Sequence, residues 1–223
     1  MTRRLWGGLL LLAVCACATR PPAPPAQRAT PSSVAALAAA VEQDARRSEH
    51  EPDAQVRGEL AADAGRNADS CLALEPQGAA CLYGRAIALA LNARAHPVHA
   101  GELLTEMLAT LTRAESADPD YDEAGPARVR ALVLLRAPGW PLGPGDPEVG
   151  LAAARRAVER RPRYPPNLLA LAEALAKSGD LSAARDTYAR ARDAALAQPA
   201  TEDREEWLRE ADQGLQRSGS GQP

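Results

Sequence analysis

Phenylalanine is absent from this 223-residue chain, whose aromatic rings come from four tyrosines and three tryptophans. A sheet wants β-branched and aromatic residues, so a core left to Ala, Leu and Val points to closely packed helices. Lysine occurs once, at Lys177, and the net charge is -3. With a pI near 5.7 there is no basic footprint for nucleic acid. No phosphate-binding glycine loop followed by lysine and no Gly-x-Ser-x-Gly is present. Histidines are His50, His96 and His99. The last two stand three apart with Glu102 beyond, but Pro97 breaks the helix between them and no further ligand has matching spacing. Acidic residues mostly stand at helical spacing from arginines, which describes a solvated face. These absences argue against an enzyme, a metal centre and a cofactor.

What is present begins with an export signal. "MTRRLWGGLLLLAVCACA" has a basic start at Arg3 and Arg4, then an apolar run from Leu5 to Val14 too short to span a bilayer, then small residues and cysteine. Residues 1–16 read as a signal peptide. Val14-Cys15-Ala16-Cys17 resembles the bacterial lipobox, and Cys17 fits the acylated position because the small Ala16 precedes it. Palmitate-type chains there would hold the protein at the periplasmic face of a membrane, the outer one by expectation. "ATRPPAPPAQRATPSS" then reads as a proline-rich tether, giving residues 17–32 to the anchor and its spacer. In the remainder, Cys71 and Cys81 form an even pair in an oxidising compartment. They flank "LALEPQGAA", a helix end, a proline break and a helix start, which allows either a disulfide or two buried thiols.

Repetition organises the rest. "CLALEP", "RAESADP" and "RAVERRP" end at Pro76, Pro119 and Pro162, each 43 residues from the next. Each proline lies five residues after a small residue, namely Cys71, Ala114 and Ala157. This pattern resembles the tetratricopeptide repeat (TPR), whose basic period is about 34 residues, so the loops or helices are longer here. A fourth unit matches throughout. Leu168, Leu171, Ala172 and Leu175 fall on first-helix positions, Gly179-Asp180 on the turn, and Ala184, Tyr188 and Ala191 on second-helix positions. In the second unit Gly84 takes the small position, where glycine costs about 1 kcal/mol unless a neighbouring backbone comes close. The expected fold is an all-α, TPR-like solenoid over residues 33–217, with a disordered tail at 218–223. Its helices are expected near 33–49, 53–74, 79–95, 98–116, 123–136, 147–160, 167–177, 181–197 and 202–216. Caps are expected at Asp146, Asp180 and Thr201. The last helix, through Trp207, Leu208 and Leu215, should close the end of the stack.

One interruption stands out. "RAPGWPLGPGDPEVG" separates the two helices of the third unit by a Pro/Gly loop around Trp140, where a tight turn would suffice. An insertion of this kind projects from a solenoid. Trp140 then either lines a cavity or meets a partner, or it plugs a gap between helices.

Signal, lipobox, helical repeats, this loop and the following "LLALAEALA" helix together resemble the T component (TatT) of TPR-associated TRAP transporters. That family's loop carries a Gly-Pro-Leu-Gly-Gly-Asp-like segment before a helix. Pro141-Leu142-Gly143-Pro144-Gly145-Asp146 is similar, with Pro144 placed among the glycines. The resemblance implies a lipid-anchored periplasmic α-solenoid, trimeric, with a central apolar cavity, that docks a periplasmic solute-binding subunit. First-helix residues line the groove of such a stack, so the candidates for binding a partner or ligand are Tyr83, Arg85, Arg128, Tyr164 and Asn167, with Trp140 from the loop. The alternative is a structural or envelope-assembly lipoprotein in which the same residues only pack.

Overall fold

The computed structural model describes residues 32–219. The expected signal, Cys17 and nearly all of the tether lie outside the described residues, as do the last four positions. Within them are nine α-helices and a 3-10 turn: α1 Val34–His50, α2 Ala54–Leu74, α3 Ala79–Ala95, the 3-10 turn Pro97–His99, α4 Ala100–Ala117, α5 Tyr121–Arg136, α6 Pro147–Arg160, α7 Pro165–Lys177, α8 Leu181–Leu196 and α9 Glu202–Gly219. Successive helices pack antiparallel as pairs, α1 with α2 through α7 with α8, and α9 closes the end on α7 and α8.

The two layers of this stack differ. First helices touch one another in series, α1 on α3, α3 on α5, α5 on α7 and α7 on α9, while α2, α4, α6 and α8 contact only first helices. A curved stack brings its elements together on the inside and spreads them on the outside. The first helices therefore form the inner face. Alanine makes the close approach possible: Ala61, Ala64, Ala68, Ala86, Ala114, Ala153, Ala154, Ala157, Ala172 and Ala184 are all fully buried.

Local signals act where the sequence places them. Asp146 accepts a hydrogen bond from Val149 N at 3.1 Å, Asp180 from Ala183 N at 3.0 Å and Thr201 from Arg204 N at 3.2 Å, each satisfying a free amide of a helix start. Gly179 has φ +87° and turns the chain from α7 into α8. The repeat positions Leu168, Ala172, Ala184, Tyr188 and Ala191 share one core with Ala211 of α9. Cys71, at the end of α2, and Cys81, at the start of α3, are joined by a disulfide with Cα atoms 5.2 Å apart. The last helix runs further than its periodicity suggests, through Ser218 and Gly219.

Two glycines contrast. Beside Gly84 the nearest atoms to a built Cβ belong to the Val41 side chain at 3.8 Å, ordinary contact distance. No neighbouring backbone comes close enough to require a glycine there. At Gly214, by contrast, a Cβ would clash with the Tyr188 ring at Cδ1, Cε1 and Cζ, so α9 seats on α8 through a residue without one. Gly84→Ala should stabilise the protein by about 1 kcal/mol. Gly214→Ala should destabilise it by about 1–3 kcal/mol. Denaturant midpoints of the two variants against the parent protein check both signs.

Candidate binding site on the inner face

The inner face acquires its shape where α5 begins. Asp122, Glu123 and Ala124 have φ of 48°, 55° and 64°, a turn of left-handed helix made without glycine. Such a conformation costs roughly 1–2 kcal/mol per residue and persists only where its surroundings hold it. Gly125-Pro126 follows, and a residue before proline is biased away from the right-handed helix. Right-handed α5 therefore starts only after this turn.

Three helices pin the turn. From α5 itself, Arg128 Nη1 donates to the carbonyls of Asp122 at 3.2 Å and Glu123 at 3.3 Å, and Nη2 donates to Asp122 Oδ2 at 2.8 Å. From α3, the Tyr83 hydroxyl donates to the same Oδ2 at 2.8 Å. From α7, Asn167 Nδ2 donates to Glu123 O at 3.0 Å and to Ala157 O at 3.1 Å, and its Oδ1 accepts from Arg128 Nη1 at 3.1 Å. Asn167 is fully buried and Arg128 is 8% exposed. A buried guanidinium is tolerable only when paired and hydrogen-bonded, and this one is.

Aromatic rings flank the network. Tyr83 and Tyr121 meet edge-to-face with centroids 5.4 Å apart. Tyr164 and Trp207 do the same at 5.8 Å. The Arg128 guanidinium lies over the Tyr164 ring, 5.2 Å from its centroid. Tyr121, Tyr164 and Trp207 are half-buried, so part of each ring still meets solvent. Burial pushes the Tyr83 hydroxyl well above its ordinary value, with Arg128 opposing and Asp122 and Glu42 adding to the rise. Tyr121 and Tyr164 are raised for the same first reason. Glu42 of α1 is raised by burial and then by Asp122, against a lowering from Arg46.

The structure thus brings Tyr83, Arg128, Tyr164 and Asn167 into one site. Arg85 is not in it. That side chain turns to the outer layer, donating to Asp69 of α2 at 3.0 Å and Glu106 of α4 at 2.9 Å. Trp140 is also elsewhere, 91% exposed beside Leu142 at 80%, so it neither wedges between helices nor lines a buried cavity. Its peptide bond to Pro141 is cis. The loop closes on itself through Gly145 N to Pro138 O at 2.8 Å and ties to α5 through Asp146 N to Leu134 O at 2.9 Å. Together with α4 it borders an open groove of about 720 Å³. Tyr121, Asp122 and Trp207 join the site although no repeat position marks them for it. Gly125-Pro126 is the one signal in the sequence that α5 could not begin regularly.

Cavities near this face differ in character from the central apolar one expected. A space of about 880 Å³ between α5, α7 and α9 is lined by charge, with Arg136 donating to Glu173 and Lys177, Glu206, Arg209 and Glu210 around it. The apolar groove, about 370 Å³, lies instead between α4 and α5, against Leu104, Val129, Leu132 and Val133. Among the described residues no group of three or more His, Cys, Asp or Glu could hold a metal ion. Nor is any helix there long and apolar enough to cross a membrane.

No protein-family model and no curated protein matches the chain. Among solved structures it is similar to a thermophilic TPR protein of Thermus thermophilus, at 20% identity and a TM-score of 0.54, over 82% of this chain and 91% of that one. The fold is therefore an all-α, TPR-like solenoid.

The pinned turn makes a test. Glu123→Gly should raise stability by about 1 kcal/mol, because glycine accepts the left-handed conformation that glutamate resists. Arg128→Met should lower it by about 3–5 kcal/mol, taking a donor from Asn167 Oδ1, from two carbonyls and from Asp122, which keeps only the Tyr83 hydroxyl. Thermal unfolding of both variants decides whether the turn is strained and whether Arg128 holds it.

Proposed function

We propose that the chain is a membrane-anchored periplasmic TPR scaffold that holds a protein partner on its inner face. One observation carries this reading. In a chain so poor in aromatics, four of the rings gather on the inner face around Arg128, and three of them keep part of their surface open. Half-exposed Tyr and Trp supply large contact area at low entropic cost, which is what binding anchors require. The envelope setting draws support from the lipobox-like Cys17 and the signal before it, and from the Cys71–Cys81 disulfide, a bond that persists in oxidising compartments.

The finer reading is the T component of a TRAP-type solute transporter, docking a periplasmic solute-binding subunit as a trimer. Its support is the Pro/Gly loop, which presents Trp140 and Leu142 to solvent, and the apolar groove beside it at Leu104, Val129 and Val133. The alternative, a structural or envelope-assembly lipoprotein without a small ligand, is favoured by a different observation: Arg128 and Asn167 place their hydrogen bonds inside the stack.

An affinity pull-down of the lipidated protein from its own envelope fraction, read by mass spectrometry, separates these. A periplasmic solute-binding protein should be recovered with the wild type and at least tenfold less with Tyr121→Ala. Trp140→Ala should reduce recovery as well if the loop docks that subunit. Recovery of envelope-assembly proteins instead would favour the alternative, and identical partners in Tyr121→Ala would remove the inner face from partner binding.

A further inference from the structure

The charged space of about 880 Å³ is enclosed by α5, α7 and α9, the inner helices that also carry Arg128, Tyr164 and Trp207. Its size is that of a ligand pocket. Tyr164 stands at the start of α7 and Trp207 in the first half of α9, whereas the lining takes Glu173 and Lys177 near the end of α7 and Arg209 to Arg217 further along α9. The aromatic pair and the charged space thus follow one another along the same two helices.

Part of the charge in this space is spent within the chain. Arg136, at the end of α5, donates to both oxygens of Glu173, from Nε at 3.1 Å and from Nη2 at 2.7 Å, and stands 4.0 Å from Glu210. Arg217 is hydrogen-bonded with the Tyr188 hydroxyl. Other groups are not spent. Lys177 donates to the carbonyl of Leu135, which leaves its charge without a carboxylate. Arg209, exposed on α9, has neither an ion pair nor a hydrogen bond among the described residues, and Gln213, one turn on, has none either. Glu206, one turn before Arg209, is the one carboxylate of the lining without a cation. Two cations from different helices therefore border one space with a single uncompensated carboxylate. The helix dipole does not account for Arg209, because a cation steadies a helix from its last turn, where Arg217 already stands.

We propose that Lys177, Arg209 and Gln213 receive an aspartate or glutamate side chain from an extended segment of the partner that runs along α9 past Trp207. This rests on the inner-face reading above and adds the partner's chemistry to it. A carboxylate there accepts charge-assisted hydrogen bonds from an ammonium and a guanidinium that the chain leaves without an anion. Glu206 repels the same carboxylate, so its neutralisation strengthens binding.

The test titrates the full chain with labelled nonapeptides of glycine and serine, amidated at the C-terminus and carrying three glutamates or three arginines, and reads fluorescence anisotropy. The glutamate peptide should bind, weaken severalfold at high salt, lose about three- to fivefold in affinity with Arg209→Gln and gain about twofold with Glu206→Gln. Neither side chain bonds within the stack, so both variants should keep the parent's thermal midpoint. Opposite shifts in two folded variants are what a merely structural role would not give. Preferential binding of the arginine peptide, binding of neither, or indifference to either substitution overturns the inference. So does tighter binding of an uncharged peptide with a free C-terminus, which would make the site a reader of chain ends. The pull-down distinguishes the two levels of the claim. Partner capture lost in Tyr121→Ala but unchanged in Arg209→Gln leaves the scaffold standing and sinks the acidic chemistry. Capture unchanged in both sinks both.

Discussion

Arg128 is the side chain on which the inner face depends. Its guanidinium ties together a left-handed turn, the carboxylate of Asp122, the amide of Asn167 and the ring of Tyr164. Three consecutive residues of α5 sit in a conformation that L side chains resist. Without a donor that reaches two of their carbonyls and one of their carboxylates at once, a regular helix start would be the cheaper arrangement. Lysine could not replace it, since a point charge cannot make three directed bonds in a fork. The turn in turn aims Asp122 at Tyr83, and Asn167 brings the next repeat into register. One arginine thereby links α3, α5 and α7.

Alanine sets the frame in which this works. Helices lined with buried alanine approach closely, which brings the inner layer into continuous contact and leaves little room for large side chains in the core. Apart from Trp140 on the loop, the tyrosines and Trp207 of the stack go either into the core or to the inner surface. Tyr188 is taken into the core, where Gly214 leaves space for its ring. Tyr121, Tyr164 and Trp207 remain at the inner surface with partly open faces. An aromatic at the edge of an alanine core is at once a packing element and a contact surface, so the same residues close the stack and offer it to a partner.

Much of the frame was legible because it depends on local rules. Evenly phased prolines, the Gly179-Asp180 turn, the caps at Asp146 and Thr201 and the small-residue spacing all act within a few residues of where they stand. The candidate site was legible in part. Tyr83, Arg128, Tyr164 and Asn167 could be picked as first-helix positions, because periodicity assigns a face. That they converge on Asp122 could not, because the convergence passes through a left-handed turn, and no periodic pattern encodes a residue that departs from the helix. Arg85 shows the complementary error. It stands only two residues from Tyr83, and two residues turn a helix by about 200°, which carries the side chain to the outer layer and to Glu106. Gly84 illustrates a third limit: a glycine at a small position does not say whether the space around it is full.

The loop and the inner face bear on function in different ways. Trp140 and Leu142 project from a loop that is held to α5 and to itself by backbone hydrogen bonds, so their exposure is a property of a defined segment. An exposed tryptophan on such a base contributes hydrophobic area and little selectivity. The inner face has the reverse character, with modest open area and strict polar geometry. Charge and hydrogen-bond direction discriminate between partners more sharply than apolar area does, because a wrong partner leaves buried polar groups unpaired. If both surfaces engage one protein, the loop supplies contact and the inner face around Arg128 supplies the choice of partner.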